Sequence, residues 1–197
     1  MASGATAQRR MTLEEFHAWE SGDDLRYELI DGVVVAMTSP RNAHGKISVK
    51  LAWRIAEALA ARPSCSAESE VEIVSPTRRN TFYQADLAVS CTPQVDEGHE
   101  MIEPLLIVEV LSPSTEDKDR KVKLVDYRQI PRVREVLLVD CTRPYCELHR
   151  RTEGDQWLTQ LVVDLRASIT LESIGAELRL ADIYANVSFD AEEPEAD

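Results

Sequence analysis

The chain has no run of apolar residues near the roughly 18 needed to cross a bilayer, so no transmembrane helix is expected. Arg9 and Arg10 are followed by no apolar segment of the kind a secretory signal carries, which makes a cytoplasmic protein the expectation. Cysteine is scarce and unclustered: Cys65, Cys91, Cys141 and Cys146 form no C-x-x-C pair. Zinc is therefore not indicated, and reduced thiols in a cytosolic fold are expected. Bases are outnumbered, with 22 Lys and Arg against 35 Asp and Glu and a formal net charge of −13. That balance argues against simple nonspecific nucleic-acid binding, which needs basic surface. No internal repeat is visible. Over 197 residues, a hydrophobic fraction of 44% is enough for one sizeable core, and one domain is expected.

The charge is unevenly spread. Asp190, Glu192, Glu193, Glu195 and Asp197 make an acidic tail without a base. Residues 118–151 hold ten Lys and Arg against five Asp and Glu, and residues 41–54 hold Arg41, Lys46, Lys50 and Arg54 with no acid. Two basic zones in an acidic chain suit an enzyme that binds phosphate locally, although charge alone favours ordinary solvated faces.

Residues 1–10 and 188–197 read as disordered ends around a single domain over 11–187. Thr12 and Glu15 have the spacing of a capping box, which opens a helix from Leu13 to about Glu20. Two strand-like runs, Arg26 to Ile30 and Val33 to Met37, flank Asp31-Gly32, a strong hairpin signal. Ile47, Leu51, Ile55 and Leu59 recur every four residues and predict a long helix from about Asn42 to Arg62. A strand pair, Cys65 to Val74 and Phe82 to Ser90, follows, with Glu68, Glu70 and Glu72 as a solvated strand face. The run Pro104 to Leu111 reads as a buried strand. A helix capped within Ser112 to Thr115 should run from Glu116 to Gln129 and lead to a strand from Arg134 to Asp140. That crossover implies that the two strands it joins are parallel or close neighbours. Strands at Tyr145 to Arg150 and Gln156 to Val163, then a strand-helix element from Glu177 to Ala185, complete a mixed α/β pattern with a β-rich C-terminal part.

Glu109 interrupts an otherwise apolar run. A buried carboxylate costs several kcal/mol unless it holds a proton, an ion partner or a metal. Asp86 lies on the preceding strand, and Lys123 follows on the helix. Two strand-borne carboxylates and a lysine are the parts of a Mg²⁺-dependent phosphodiesterase site. Mg²⁺ (or Mn²⁺) keeps several waters, so Asp86, Glu109 and the main-chain carbonyl of Val110 suffice as protein ligands. Simpler readings exist. Lys123 lies four residues after Asp119, the spacing of an ordinary helix ion pair worth about 0.2–0.5 kcal/mol. Glu109 is open to pairing with an arginine. Ser112 and Ser114 have no His/Asp pattern around them and read as caps.

Four strings, taken together, resemble the Uma2 family: Tyr-Glu28-Leu-Ile-Asp-Gly, Ala-Asp86-Leu-Ala-Val, Val-Glu109-Val-Leu-Ser-Pro-Ser-Thr, and Asp119-Arg-Lys-Val-Lys123-Leu-Val-Asp-Tyr127. The likeness covers about Met11 to Ala185. It implies a restriction-endonuclease-like core of the PD-(D/E)XK nuclease superfamily, a central mixed β-sheet flanked by helices. Two positions depart from the pattern: Ala85 stands where proline usually precedes the aspartate, and Leu111 where the superfamily lysine usually lies. The resemblance implies that Lys123 replaces that lysine. It adds Glu28 as a further carboxylate for metal or water. It also places His44 at the site, where an imidazole can carry a proton near neutrality. A homodimer acting on DNA, favoured over RNA, is the implied assembly. Lys46, Lys50, Arg54, Arg120 and Lys121, with Arg128, are the expected phosphate contacts. Two alternatives stand beside this: a non-catalytic interaction protein that keeps the nuclease fold, and a nuclease acting on RNA.

Overall fold

The computed structural model describes residues 10–189. The capping box forms, with the Glu15 amide donating to the Thr12 hydroxyl and the Thr12 amide to the Glu15 carboxylate, and it opens α1 (Leu13–His17). Asp31 and Gly32 join β1 (Tyr27–Ile30) to β2 (Val33–Ala36) with φ of 50° and 80°. Positive φ at both central residues is the type I′ pattern that matches strand twist. A Cβ at Gly32 would lie 3.0 Å from the Met11 carbonyl oxygen, so space and backbone angle both demand glycine.

Next come α2 (Asn42–Leu59), β3 (Ser66–Val74), β4 (Phe82–Ser90) and β5 (Leu106–Leu111). The segment after β5 is not one regular helix. It is α3 (Glu116–Lys118), a π-helical turn (Asp119–Lys123) and α4 (Leu124–Tyr127). Thr115 stands at the N-cap without a side-chain cap bond; its hydroxyl instead accepts from the Ser112 amide. Then follow β6 (Glu135–Asp140), β7 (Cys146–Arg151) and β8 (Trp157–Val162), and a separate hairpin of β9 (Ser168–Leu171) and β10 (Ala176–Arg179) leading into α5 (Leu180–Ile183). The sequence reading has no counterpart to β9, a four-residue strand with only two buried side chains.

The sheet runs β2-β1-β4-β5-β6-β7-β8, with β3 on β4. β5 and β6 are parallel and the other pairs antiparallel, so the sheet is mixed. One apolar layer joins Ile47, Leu51, Ile55 and Leu59 of α2 to Leu106, Val108 and Val110 of β5, and continues into β9, β10 and α5. The other joins Ile107 and Leu111 of β5 to Leu124 and Tyr127 of α4. Glu109 has the parity of this second layer. The fold is therefore mixed α/β, a central sheet flanked by helices with a β-rich C-terminal part.

The expectation of four reduced thiols is corrected. Ser66 pairs with Ser90, and one step further along that register Cys65 and Cys91 form a disulfide; Cys141 and Cys146 are free and buried. The 26-residue separation closes a loop in the unfolded chain. Reduction, or Cys65→Ser, should then lower stability by about 3 kcal/mol. Thermal melts with and without dithiothreitol test this: the wild-type midpoint should fall and the variant's should not move. Residues 1–9 and 190–197, most of the expected disordered ends, lie outside the described residues. Arg10 donates to the Asp31 carbonyl, and the Phe189 ring lies 5.5 Å from that of Tyr184.

Candidate active site

The site lies at a gap in the sheet. β4 pairs with β3 along one edge, while β1 and β5 share the other. β1 pairs only at Phe82, and β5 only from Leu87 onward. Between them β4 has no strand partner on that edge, so its main-chain groups need other partners. The Gln84 amide donates to Glu28 Oε1 (3.1 Å), and the Gln84 carbonyl accepts from Lys123 Nζ (3.0 Å). The Asp86 carboxylate accepts the Val110 amide at Oδ2 (2.7 Å). Side chains thus replace the missing strand. The pairing of Leu87 with Val108, carried one step further, sets Asp86 opposite Glu109. Opposite residues on antiparallel strands share a face. Beyond that point the strands part: Ala85 packs in the α4-side layer and Leu87 in the α2-side layer, so β4 turns over at Asp86. The opposing residue of β3, Glu70, takes a positive φ of 53°.

The parting strands open a cleft of about 720 Å³ lined by Asp86, Glu109, Val110, His44, Asp119 and Lys123. The Asp86 side chain is 22% exposed, and its Oδ1 lies 3.3 Å from His44 Nε2, in the first turn of α2. The Glu109 side chain is 3% exposed. Its Oε1 accepts from Tyr127 Oη (2.7 Å) and Lys123 Nζ (3.2 Å). Lys123 is almost enclosed, with Glu28 Oε1 at 3.1 Å and Asp119 Oδ1 at 3.3 Å besides Glu109. The π-helical turn carries both Asp119 and Lys123 into this interior. A helical turn with an extra residue is a frequent device at functional sites.

One ammonium cannot compensate three buried carboxylates equally. Burial drives Glu28 upward, but Lys123 and Lys118 together bring it below the ordinary carboxylate range. Glu109 has only Lys123: burial pushes it up to about 8, and the nearby charges of Asp119 and Asp86 add to the rise. Burial also raises Asp119 against the pull of Lys123. Its Oδ1 makes no hydrogen bond among the described residues. Burial opposes the charge on Lys123, but Glu109, Glu28 and Asp119 outweigh it and hold the ammonium well above its usual pKa. Lys123 is thus a fixed positive charge and not a base.

The structure brings Asp86, Glu109, Val110, Lys123 and His44 to one cleft. Glu28 is different: it is fully buried behind the cleft wall, bound to Lys118, Lys123 and the Gln84 amide, which suits holding the lysines and not meeting solvent or metal. None of the expected phosphate contacts lines the cleft, and each has a partner within the chain. Lys46 donates to the Asn186 carbonyl (2.9 Å), Lys50 lies over Trp53, and Arg54 pairs with Asp182 (2.7 Å). Arg120 pairs with Glu147 (2.7 Å) and Lys121 with Asp117 (2.8 Å). Arg128 donates to His149 (2.6 Å). The bases that do line the cleft are Arg26, Arg41, Lys118 and Lys123. Nor is the β3 acid row simply solvated: Glu70 pairs with Arg26, and Glu72 is half-buried against His17 (2.8 Å). Asp119, Tyr127 and Gln84 are site residues that the sequence reading did not assign. Asp119 and Tyr127 stand in the same string as Lys123, which is the signal that could have flagged them.

The donor set fits a hydrated hard cation. Asp86 and Glu109 supply two carboxylates from separate strands at a cleft open to water, and both hydrogen bonds to Glu109 reach one oxygen, Oε1. A closed all-protein cage does not fit, since among the described residues no three His, Cys, Asp or Glu side chains converge as a metal site. Mg²⁺ commonly takes one or two carboxylates and keeps its waters.

Paired strands that part at two acids, backed by a helix lysine, place the protein among the restriction-endonuclease-like α/β folds. The family model described as "Uma2: Putative restriction endonuclease" matches residues 13–182, and the chain belongs to the Uma2 family. Uncharacterized protein slr1290 of Synechocystis is 30% identical over 183 residues, covering 91% of this chain and 94% of that one. Uncharacterized protein sll1609 of the same organism is 24% identical over 161 residues, covering 81% and 91%. A crystal structure from Anabaena variabilis, described as a putative nuclease belonging to DUF820, superposes with a TM-score of 0.71 at 19% identity, covering 88% of this chain and 97% of that one. At that identity the likeness is one of fold.

Proposed function

We propose that the protein is a Mg²⁺- or Mn²⁺-dependent endonuclease that hydrolyses phosphodiester bonds in DNA. The observation that carries this reading is that Asp86 and Glu109 line one cleft where β4 and β5 part, with the Lys123 ammonium held 3.2 Å from Glu109. Asp86, Glu109 and the Val110 carbonyl would hold the ion, which would supply Lewis-acid polarisation of the scissile phosphate and a water of lowered pKa.

The chain's own residues do the rest. Lys123 presents a permanent positive charge toward the charge that develops on the phosphate. Tyr127 and Lys123 fix the rotamer of Glu109, and Glu28 with Asp119 fixes Lys123. His44, against Asp86, is placed to take or return a proton at the cleft mouth. Arg41 is exposed, has no ion pair among the described residues and stands at the start of α2, which suits a phosphate contact. No membrane-spanning helix occurs among the described residues. A homodimer through β8, the end strand of the sheet with Leu158 and Leu161 exposed, gives two sites for two strands.

Incubation of supercoiled plasmid with the protein tests the reading. Nicking should appear with Mg²⁺ or Mn²⁺ and vanish with EDTA. Intact plasmid under every metal condition would leave the fold as a non-catalytic scaffold.

A further inference from the structure

Beside the acidic cleft lies a second, open pocket of about 280 Å³, and the two share a wall made by Arg26 and Gln84. Its other walls are rings. Trp19 meets Tyr27 edge-on, with centroids 5.1 Å apart, and Phe16 lies 5.9 Å from Trp19. Phe16 is anchored below by the buried Phe82 ring at 4.9 Å. On the far side His17 and His99 stack at 4.8 Å, and His17 Nε2 lies 2.8 Å from Glu72 Oε2. The arrangement is preformed: Tyr27 donates to Asp23 (2.8 Å), Arg26 pairs with the Glu70 carboxylate, and the Gln84 side-chain amide donates to the Glu70 carbonyl.

Every nucleobase has a π face, and aromatic side chains hold unstacked bases through it. The shared wall sets the distance. Gln84 and Asp86 are two residues apart on β4, about 7 Å along an extended strand. A nucleotide whose phosphate sits at Asp86 therefore has a neighbouring base within reach of the ring pocket. A base stacked inside a duplex cannot enter a pocket bounded by rings and must be unpaired or extruded. We propose that this pocket holds the unpaired base next to the scissile phosphate, so that the preferred substrate is DNA with a bulged or single-stranded nucleotide. The proposal rests on the nuclease reading for the neighbouring cleft. Trp19 and Tyr27 provide the stacking surface, while Arg26 and Gln84 separate base from phosphate.

The test is a binding measurement on the full chain in EDTA, where cleavage plays no part. Fluorescence anisotropy compares three labelled duplexes: fully paired, with one bulged nucleotide, and with the same bulge made abasic. The wild type should bind the bulged base about 5- to 150-fold more tightly than the abasic bulge. Trp19→Leu should erase that ratio and leave affinity for the paired duplex unchanged, which also controls for folding. Trp19→Phe, which keeps a π face, should restore most of the ratio. Equal affinity of the wild type for base and abasic bulges overturns the pocket and leaves the nuclease reading standing. A ratio that survives in Trp19→Leu overturns its location. Failure to bind any of the three duplexes in EDTA overturns the pocket and leaves the nuclease reading to the metal-dependent nicking assay.

Discussion

Asp86→Asn should lower DNA cleavage by at least about 10³-fold while leaving the fold in place, a loss of several kcal/mol of transition-state stabilisation. The substitution is selective because Asp86 has two duties. Its Oδ2 accepts the Val110 amide at 2.7 Å, and an asparagine oxygen can still accept that bond. Its negative charge, which attracts the cation, has no substitute in asparagine. The side chain is partly exposed, so the neutral amide strands no buried charge. Initial rates of plasmid nicking, set beside thermal melts of both proteins, check the prediction. A rate within tenfold of wild type would remove Asp86 from the chemistry.

Lys123→Met should destabilise the protein by about 3–5 kcal/mol near neutral pH, the usual cost of removing one partner from a buried ion cluster. Glu28, Glu109 and Asp119 all lie within 3.3 Å of this ammonium, and the Gln84 carbonyl loses its donor as well. Lys118 remains paired with Glu28 and acts on Asp119 only as a nearby charge. The loss should depend on pH. Without the ammonium the buried carboxylates have folded pKa values above their unfolded ones, so the folded variant binds more protons than the unfolded chain. Its stability then rises as pH falls and drains away as pH climbs through the raised values. Denaturant titrations at pH 5.5 and pH 8 should show a larger gap from wild type at the higher pH. A gap of under 1 kcal/mol at both would mean that the cluster does not hold the fold together at this point.

How much of this was written in the sequence follows from the range of each interaction. The Thr12–Glu15 cap, the Asp31-Gly32 turn and the four-residue spacing of Ile47 to Leu59 are local, and each formed where the residues indicate. The crossover from β5 to β6 follows from strand, helix, strand in order. Glu109 stood out because a carboxylate in an apolar run needs a partner. Longer-range facts were less legible. Lys46, Lys50 and Arg54 make a basic row on paper, yet the partners of Lys46 and Arg54, Asn186 and Asp182, come from the far end of the chain. Cys65 and Cys91 meet only because Ser66 pairs with Ser90, a register that spacing does not reveal. The π-helical turn differs from an ordinary one by a single residue, and no helix propensity marks it. The ring pocket gathers Phe16, Trp19, Tyr27 and His99 from segments that no local pattern connects.

Mn²⁺ calorimetry on wild type, Asp86→Asn and Glu109→Gln asks most directly whether these two acids share one ion. Burial holds Glu109 at about 8, so below that pH an incoming ion must displace a proton. The account predicts one ion per wild-type chain, with affinity rising about tenfold per pH unit up to pH 8 and flat above it. Asp86→Asn should bind at least tenfold more weakly, and Glu109→Gln should lose both tight binding and the pH slope. No uptake by the wild type, or equal uptake by all three proteins, would contradict it.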